Sequence, residues 1–104
     1  MTFECSVARE SDDAAIVTVR GDIDLASAND LEACGRSALD GASSVVVDMA
    51  GVTFLDSSGL RSLVILQEEA QSQGTSMTLR GTQRNVRRVF DLTGLAATFG
   101  FSDG

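Results

Sequence analysis

Residues 45–61 read VVVDMAGVTFLDSSGLR, an apolar run that leads into an acid, two serines and a glycine. We interpret residues 45–49 as a central parallel strand that is apolar on both faces. From Leu60 to about Gln73, apolar residues return at the spacing of a helix. Residues 56–59 therefore lie where a strand–loop unit becomes a helix, whose free N–H groups and dipole can hold a phosphate. We interpret one of the two serines as a phosphorylation switch.

The segments before this stretch predict a hairpin followed by a helix. Apolar and polar residues alternate over 3–8, and β-branched residues dominate 15–20, so both segments are expected to be strands. The polar turn at 10–13 is short, which makes the two strands antiparallel. A helix is expected from about Ser27, a suitable N-cap, to the glycine at 41.

The segments after this stretch complete an alternating pattern. A strand is expected around 77–79, a helix from about 82 to 92, and a last short strand over 97–101. The predicted order is β-β-α-β-α-β-α-β. Short connections between alternating strands and helices imply right-handed crossovers. The predicted fold class is therefore α/β, a small mixed, mostly parallel sheet with helices packed on it.

Length and charge restrict the class of protein and its partners. At 104 residues the chain has room for one domain, which we take as residues 1–104. The formal net charge of −7 argues against nucleic acid or an anionic membrane as a partner. We see neither a bilayer-length apolar run nor a leader, so we expect a cytoplasmic protein without direct membrane insertion.

Missing residue types exclude most kinds of enzyme. The chain contains no histidine and no lysine. A Ser–His–Asp relay, a histidine metal site, a lysine Schiff base and a Walker-type phosphate loop therefore cannot be built. A G-x-S-x-G nucleophile elbow is absent, and a response-regulator receiver would need a lysine facing its acids. We expect no enzyme activity, no metal and no cofactor.

The two cysteines suggest no chemistry of their own. Cys5 and Cys34 are isolated and show neither CxxC nor disulfide-framework spacing. A free cysteine commonly behaves as a small apolar residue. Both are predicted to be buried thiols.

The serine turn also has a purely structural interpretation, since Ser and Asp are common at helix starts and Gly is common in loops. Two residues argue against it. Gly59 in the first helical turn costs on the order of 1 kcal/mol relative to alanine, and the charge of Arg61 opposes the helix dipole. A glycine beside a hydroxyl also lets another protein's active site approach the backbone.

Three segments of the chain resemble one known family. Residues 21–24, GDID, are similar to a G-[DE]-[LIV]-D turn. Residues 48–61, DMAGVTFLDSSGLR, are similar to the signature D-x-x-x-[LV]-x-[FY]-[LMI]-D-S-[ST]-G-L, and residues 86–95, VRRVFDLTGL, to a third helix with its turn. The family is that of STAS domains (sulfate transporter and anti-sigma-factor antagonist). Within it, the chain resembles the stand-alone bacterial anti-sigma-factor antagonists.

The resemblance implies a partner-switching cycle that regulates transcription, as in bacterial stress responses. In that family the serine directly after the motif's aspartate is phosphorylated, and this position is Ser57 here. The kinase is the partner anti-sigma factor, a GHKL-type serine kinase, and a metal-dependent serine phosphatase reverses the step. The unphosphorylated antagonist binds the anti-sigma factor and frees the sigma factor, whereas the phosphorylated form does not bind. Ser58 is expected to cap the helix.

The other motif residues form the expected surroundings of Ser57. Asp24 and Asp56 could each cap a loop, but the resemblance favours partner docking or orientation of the serine hydroxyl, with both acids at one edge of the sheet. The remaining members of this environment are Asp22, Ser58, Gly59, Leu60 and Arg61. The apolar surplus over 60–66 belongs either to the core or to a partner surface. Arginines at 84, 87 and 88 are taken as a solvated face.

Two other functions stay open on the sequence. A STAS subunit of a transport or signalling assembly would bind a partner without phosphorylation, and it would not need the acceptor serine that this chain has. A small-ligand or nucleotide-binding domain would need glycine-rich segments beyond the central loop. Many antagonists continue past the last strand into another helix, whereas this sequence ends at residue 104, so contacts of that helix are not carried over.

Overall fold

The computed structural model describes residues 3–101, and its elements follow the predicted order. The strands are β1 (Glu4–Ser11), β2 (Ala14–Ile23), β3 (Ser44–Leu55), β4 (Ser76–Arg80) and β5 (Gly100–Phe101). The helices are α1 (Ala28–Leu39), α2 (Ser57–Ser72) and α3 (Arg84–Thr93). A 3₁₀ turn, Ala96–Thr98, replaces the first part of the last strand that was predicted over 97–101.

The strands form a five-stranded sheet in the order β1-β2-β3-β4-β5. The β1–β2 pair is antiparallel, and the β2–β3, β3–β4 and β4–β5 pairs are parallel. The predicted α/β class with a mixed, mostly parallel sheet is confirmed. Because β2 and β3 are parallel neighbours, their carboxyl ends meet at one edge of the sheet.

Within the described residues, the helices cover one face of this sheet. Val47 and Leu79 are register partners on the covered face and belong to one apolar core together with side chains of all three helices. The next register pair, Asp48 and Arg80, lies on the other face and forms an ion pair at 3.2 Å. The prediction that residues 45–49 are apolar on both faces is wrong, because the charged side chain of this strand points away from the helices.

A disulfide between Cys5 and Cys34 joins β1 to α1. The two Cα atoms are 6.5 Å apart, within the range that disulfides span. Both side chains are half-buried. The prediction of two buried thiols is therefore wrong, because the pairing depends on how the β2–α1 connection returns α1 across β1, which spacing along the chain does not report.

Helix α3 is held to the last strand by aromatic contacts. The rings of Phe90 and Phe101 meet edge to face at 5.4 Å. The guanidinium of Arg87 lies 3.7 Å from the centre of the Phe101 ring, so this arginine is not simply solvated. Arg84 and Arg88 are exposed, as expected. No helix within residues 3–101 has both the length and the apolar character that a bilayer span requires.

Candidate functional site

Two parallel strands end side by side at the edge of the sheet that carries the serine turn. Ile23, the last residue of β2, and Leu55, the last of β3, are register partners. The backbone N–H of Asp56 donates to the Ile23 carbonyl at 3.2 Å. Asp24 and Asp56 are the next residue of each strand, so both acids lie at one edge, as the resemblance implied.

Asp56 is the N-cap of α2. Its backbone is extended, its Oδ1 accepts from the Gly59 N–H at 3.0 Å, and its carbonyl accepts from the Leu60 N–H at 2.9 Å. The helix therefore begins at Ser57, and Ser58 already lies inside its first turn. The capping role expected of Ser58 belongs to Asp56. A capping residue precedes the first turn of the helix and accepts hydrogen bonds from the N–H groups of that turn.

The two serines differ in exposure. Ser57 is exposed and Ser58 is half-buried. Within residues 3–101 the Ser57 hydroxyl has no hydrogen-bond partner, and the backbone N–H groups of both serines have no acceptor. An accessible hydroxyl beside two open N–H groups at a helix start suits the transfer of an anionic group to Ser57.

Gly59 and Leu60 lie below the surface that Ser57 occupies. A Cβ at residue 59 would overlap the carbonyl oxygen of Ile23, so glycine is what allows α2 to approach the end of β2. Leu60 is 5% exposed and belongs to the core. These two residues therefore support the serine turn from within, and the internal contact explains the glycine without an approaching partner.

Arg61 follows directly and faces solvent. In the part of the chain that the structure describes, its guanidinium forms no ion pair. It lies four residues after Ser57, which is about one helical turn. Of the three motif residues that follow the serines, Arg61 is the one a partner can reach.

The turn after β2 is fixed by its own side chains. Asp24 Oδ1 accepts from the N–H groups of Ala26, at 3.0 Å, and Ser27, at 3.2 Å. The Ser27 hydroxyl donates to the Asp22 carbonyl at 2.8 Å and accepts from the Asp24 N–H at 3.0 Å. Ser27 occupies the predicted N-cap position of α1, but its side chain is turned back to the strand and caps no helical N–H. The Asp22 carboxylate accepts from the Thr53 hydroxyl at 3.2 Å, which joins this turn to β3.

Two exposed apolar side chains flank these acids, and neither was predicted from the sequence as a site residue. Leu25 is 79% exposed and Phe54 is 49% exposed. Leu25 follows Asp24 in the turn, and Phe54 is the register partner of Asp22. The available signals were a leucine inside a polar turn and a phenylalanine directly before the buried last residue of a strand.

The start of α3 is hydrogen-bonded to β3, the strand that leads into the serine turn. The Gln83 amide donates to the Ala50 carbonyl at 2.8 Å, and the Asn85 amide donates to the Thr53 carbonyl at 3.0 Å. Both bonds hold the second half of β3, which leads into the serine turn. Neither amide was predicted as a contact, since a Gln or Asn residue shows no sequence pattern that indicates a hydrogen bond to a carbonyl far away in the chain.

Asp48 opens the motif but lies away from the serine turn, on the uncovered face. A hydrogen bond from the Ala50 N–H, at 3.0 Å, lowers the pKa of the Asp48 carboxyl, and the neighbouring Arg80 lowers it further. Among residues 3–101, no three Asp, Glu or Cys side chains are grouped closely enough to hold a metal ion. The exposed hydroxyl at the start of α2 is that of Ser57.

One protein family matches nearly the whole chain. A family model described as STAS domain covers residues 6–103. The chain is also similar to the anti-sigma-F factor antagonist RsfB of Mycobacterium tuberculosis (strain CDC 1551 / Oshkosh). The two are 37% identical over 87 residues, which make up 82% of this chain and 70% of that protein.

Solved structures share the architecture. A crystal structure of an anti-sigma factor antagonist from Mycobacterium paratuberculosis has a TM-score of 0.85 and 28% identity, over 99% of this chain and 87% of that chain. The anti-sigma factor antagonist SpoIIAA in its unphosphorylated form has a TM-score of 0.78 and 17% identity, over 97% of this chain and 88% of that chain. At the lower identity the likeness concerns the fold alone.

Proposed function

This chain belongs to the STAS domain family, and we propose that it acts as an anti-sigma-factor antagonist in a partner-switching system. The relative named an anti-sigma-F factor antagonist, at 37% identity, supports this role. In the proposed cycle, the unphosphorylated chain binds an anti-sigma factor in the cytoplasm. The sigma factor that the anti-sigma factor had held is then free.

The observation that carries the proposal is the exposed Ser57 hydroxyl at the first residue of α2. The proposed kinase is the anti-sigma factor itself, a GHKL-type serine kinase. The Ser57 oxygen attacks the γ-phosphorus of ATP, the bond from that phosphorus to the bridging oxygen of ADP breaks, and the hydroxyl proton is released. The products are phosphoserine and ADP, so the chain is a substrate and a regulator, not an enzyme.

Docking relies on the apolar side chains beside the acceptor serine. Leu25 and Phe54 are exposed at the same edge of the sheet as Asp24 and Asp56. Large apolar side chains that become buried at the centre of an interface supply much of its binding energy. We assign Leu25 and Phe54 as the apolar anchors for the anti-sigma factor, with exposed Arg61 as a charged contact beside them.

Phosphorylation ends the complex through charge. A phosphoserine adds about −1.5 to −2 charges at neutral pH. At Ser57 this charge joins the carboxylates at the edge and would have to lose its water against an apolar partner surface. The open N–H groups of Ser57 and Ser58 accommodate the phosphate within the folded chain, so binding is lost without unfolding. A metal-dependent serine phosphatase then hydrolyses the phosphate and restores the binding form.

The test is a phosphorylation assay with candidate anti-sigma kinases and ATP, read by peptide mass spectrometry. Phosphate should be found on Ser57, and Ser57→Ala should remain unmodified while still binding the kinase. Ser58→Ala, the matched control, should be phosphorylated like the unaltered chain. A kinase that binds the chain but never modifies it would favour a STAS interaction subunit without a phosphorylation cycle.

A further inference from the structure

We propose that the Cys5–Cys34 disulfide is a reversible redox modification site whose reactants are low-molecular-weight thiols. Whether the disulfide is closed or reduced sets how firmly the turn at residues 24–27 is held. The disulfide and its coupling to this turn depend on the structure alone. The consequence for partner binding rests on the proposed function.

The turn and α1 form one continuous unit. The N–H of Ala28 donates to the Asp24 carbonyl at 2.9 Å, and the N–H of Leu31 donates to the Ser27 carbonyl at 3.0 Å. Cys34 follows one turn later on the same helix. A bond at Cys34 therefore restrains the helix that carries the exposed Leu25 turn at its amino end.

The attachments of α1 to β1 differ along the helix. At the carboxyl end, the Arg9 guanidinium donates to the carbonyls of Ser37, at 2.8 Å, and Ala38, at 3.0 Å. The disulfide is nearer to the turn and provides a covalent link there. Reduction would leave the Arg9 contacts in place and release the part of α1 that adjoins the turn.

The other side of α1 is attached to α2. The Ser62 hydroxyl donates to the Glu32 carboxylate at 2.9 Å, and its oxygen lies 3.3 Å from the Ala28 carbonyl oxygen. Gly35 lies so close to Leu66 that a Cβ there would overlap it. These contacts keep α1 folded against α2 when the disulfide is open, so the change is a loosening near the turn and not a loss of the helix.

A small thiol can reach the bond. Both cysteines line an open cavity of about 570 Å³, together with Glu4, Arg20 and Asp30. A thiolate attacks one sulfur of the disulfide, the S–S bond breaks, and a mixed disulfide and one protein thiolate form. A second small thiolate then attacks the sulfur of the first small thiol in the mixed disulfide, and the second protein thiolate leaves. The protein gains two electrons and two protons, and the two small thiols leave as their oxidised dimer.

The proposed location favours a reversible role. In the cytoplasm of mesophiles, protein disulfides are rare and are usually transient, catalytic or redox-sensing. Of these roles, redox sensing is the one that we propose for Cys5 and Cys34.

The first experiment uses the full chain without a partner. The intact mass of the folded, air-oxidised chain should be two hydrogen masses lower than after treatment with a monothiol, and both cysteines should then accept an alkylating reagent. Amides of residues 25–31 should exchange with deuterium on the order of fivefold faster after reduction, the low end of coupling between sites. Amides of β3 should not change. Free thiols before treatment, a folded chain that the monothiol does not reduce, or equal exchange at 25–31 would overturn the proposal.

The second experiment adds the partner. The oxidised chain should bind its anti-sigma factor on the order of fivefold more tightly than the reduced chain, and the double variant Cys5→Ser/Cys34→Ser should match the reduced chain with or without thiol. Equal affinity of the oxidised and reduced chains would overturn the proposal that the redox state controls partner binding. If neither state binds any anti-sigma factor while the exchange difference persists, the proposed function fails and the redox site is retained.

Discussion

The carbonyl oxygen of Ile23 occupies the space that a side chain at Gly59 would need. The same carbonyl accepts the backbone N–H of Asp56. The end of β2 therefore contacts the residues directly before and after the two serines. This relationship, more than the local helix propensity of the motif, sets where Ser57 lies.

We expect Gly59→Ala to lower the free energy of unfolding by about 1–3 kcal/mol, because the added methyl group must displace backbone in a packed region. The helix gains propensity from alanine, but that gain is at most about 1 kcal/mol. Urea denaturation of the variant and of Gln71→Ala, an exposed site on the same helix, measures the difference. A Gly59→Ala chain as stable as the control would show that α2 does not need this close approach.

Ser57→Asp is expected to bind the anti-sigma factor at least tenfold more weakly, about 1.4 kcal/mol, since it places a charge where the phosphate would be. Its melting temperature should change little, because an acid at the first residue of a helix suits the dipole. Titration calorimetry and thermal melting measure the two effects. Ser57→Asn, similar in size but neutral, is the matched control and should bind more tightly than Ser57→Asp. Gross unfolding of Ser57→Asp would contradict the charge mechanism.

Leu25→Ala and Phe54→Ala should each reduce affinity for the anti-sigma factor by roughly 1–2 kcal/mol, as expected for truncated interface anchors. Stability should stay within about 0.5 kcal/mol for Leu25→Ala, since the side chain is 79% exposed. Leu92→Ala is the matched control, because Leu92 is 75% exposed near the carboxyl end of α3, away from the end that contacts β3. An equal loss of affinity for all three variants would argue against a defined docking surface.

Reduction of the disulfide should lower the free energy of unfolding by about 3.6 kcal/mol, because a cross-link that closes a loop of this size restricts the unfolded chain. The two cysteines are 29 residues apart in sequence. Urea denaturation with and without a reducing thiol measures the change. The double variant Cys5→Ser/Cys34→Ser should show no response to thiol, and a wild-type chain that also shows none would contradict the pairing.

The lowered pKa of Asp48 predicts a pH dependence on the acid side. A carboxyl with a folded pKa below its unfolded value of about 3.9 stabilises the fold above that value and loses this contribution as pH falls through the folded pKa. Stability of the wild type should therefore fall more steeply between about pH 4 and pH 2 than that of Asp48→Asn. Gln71→Ala, at an exposed site on α2 that carries no titratable group, is the control and should retain the wild-type slope. Parallel slopes for Asp48→Asn and the wild type would contradict a stabilising charge at Asp48.

The order of elements could be predicted because periodicity and connection length are local properties. Residues 3–8 and 77–79 alternate, β-branched residues dominate 15–20, and the helices repeat apolar residues at helical spacing, so each element is visible within its own segment. Short connections then restrict the topology. Which face of the sheet the helices cover was harder to predict, since Asp48 inside an apolar run gives no indication of it.

Features that depend on distant parts of the chain could not be predicted. The disulfide requires α1 to return across β1, and the need for glycine at residue 59 comes from the end of β2. The caps were predicted by residue type. Ser27 does occupy the N-cap position of α1, although its side chain makes no cap hydrogen bond, and the cap expected of Ser58 was wrong. Asp56 caps α2 because it is the last extended residue, and Ser27 bonds back to Asp22 because the turn places its hydroxyl there.

The Asp56 cap also has a consequence for rates. Because the serine turn is already closed by the bonds from the N–H groups of Gly59 and Leu60 to Asp56, little backbone must become ordered when a partner arrives. Association with a partner is then not slowed by the folding of this turn. In the proposed cycle, we expect the lifetime of each complex, and not the ordering of this turn, to limit the exchange between kinase and phosphatase.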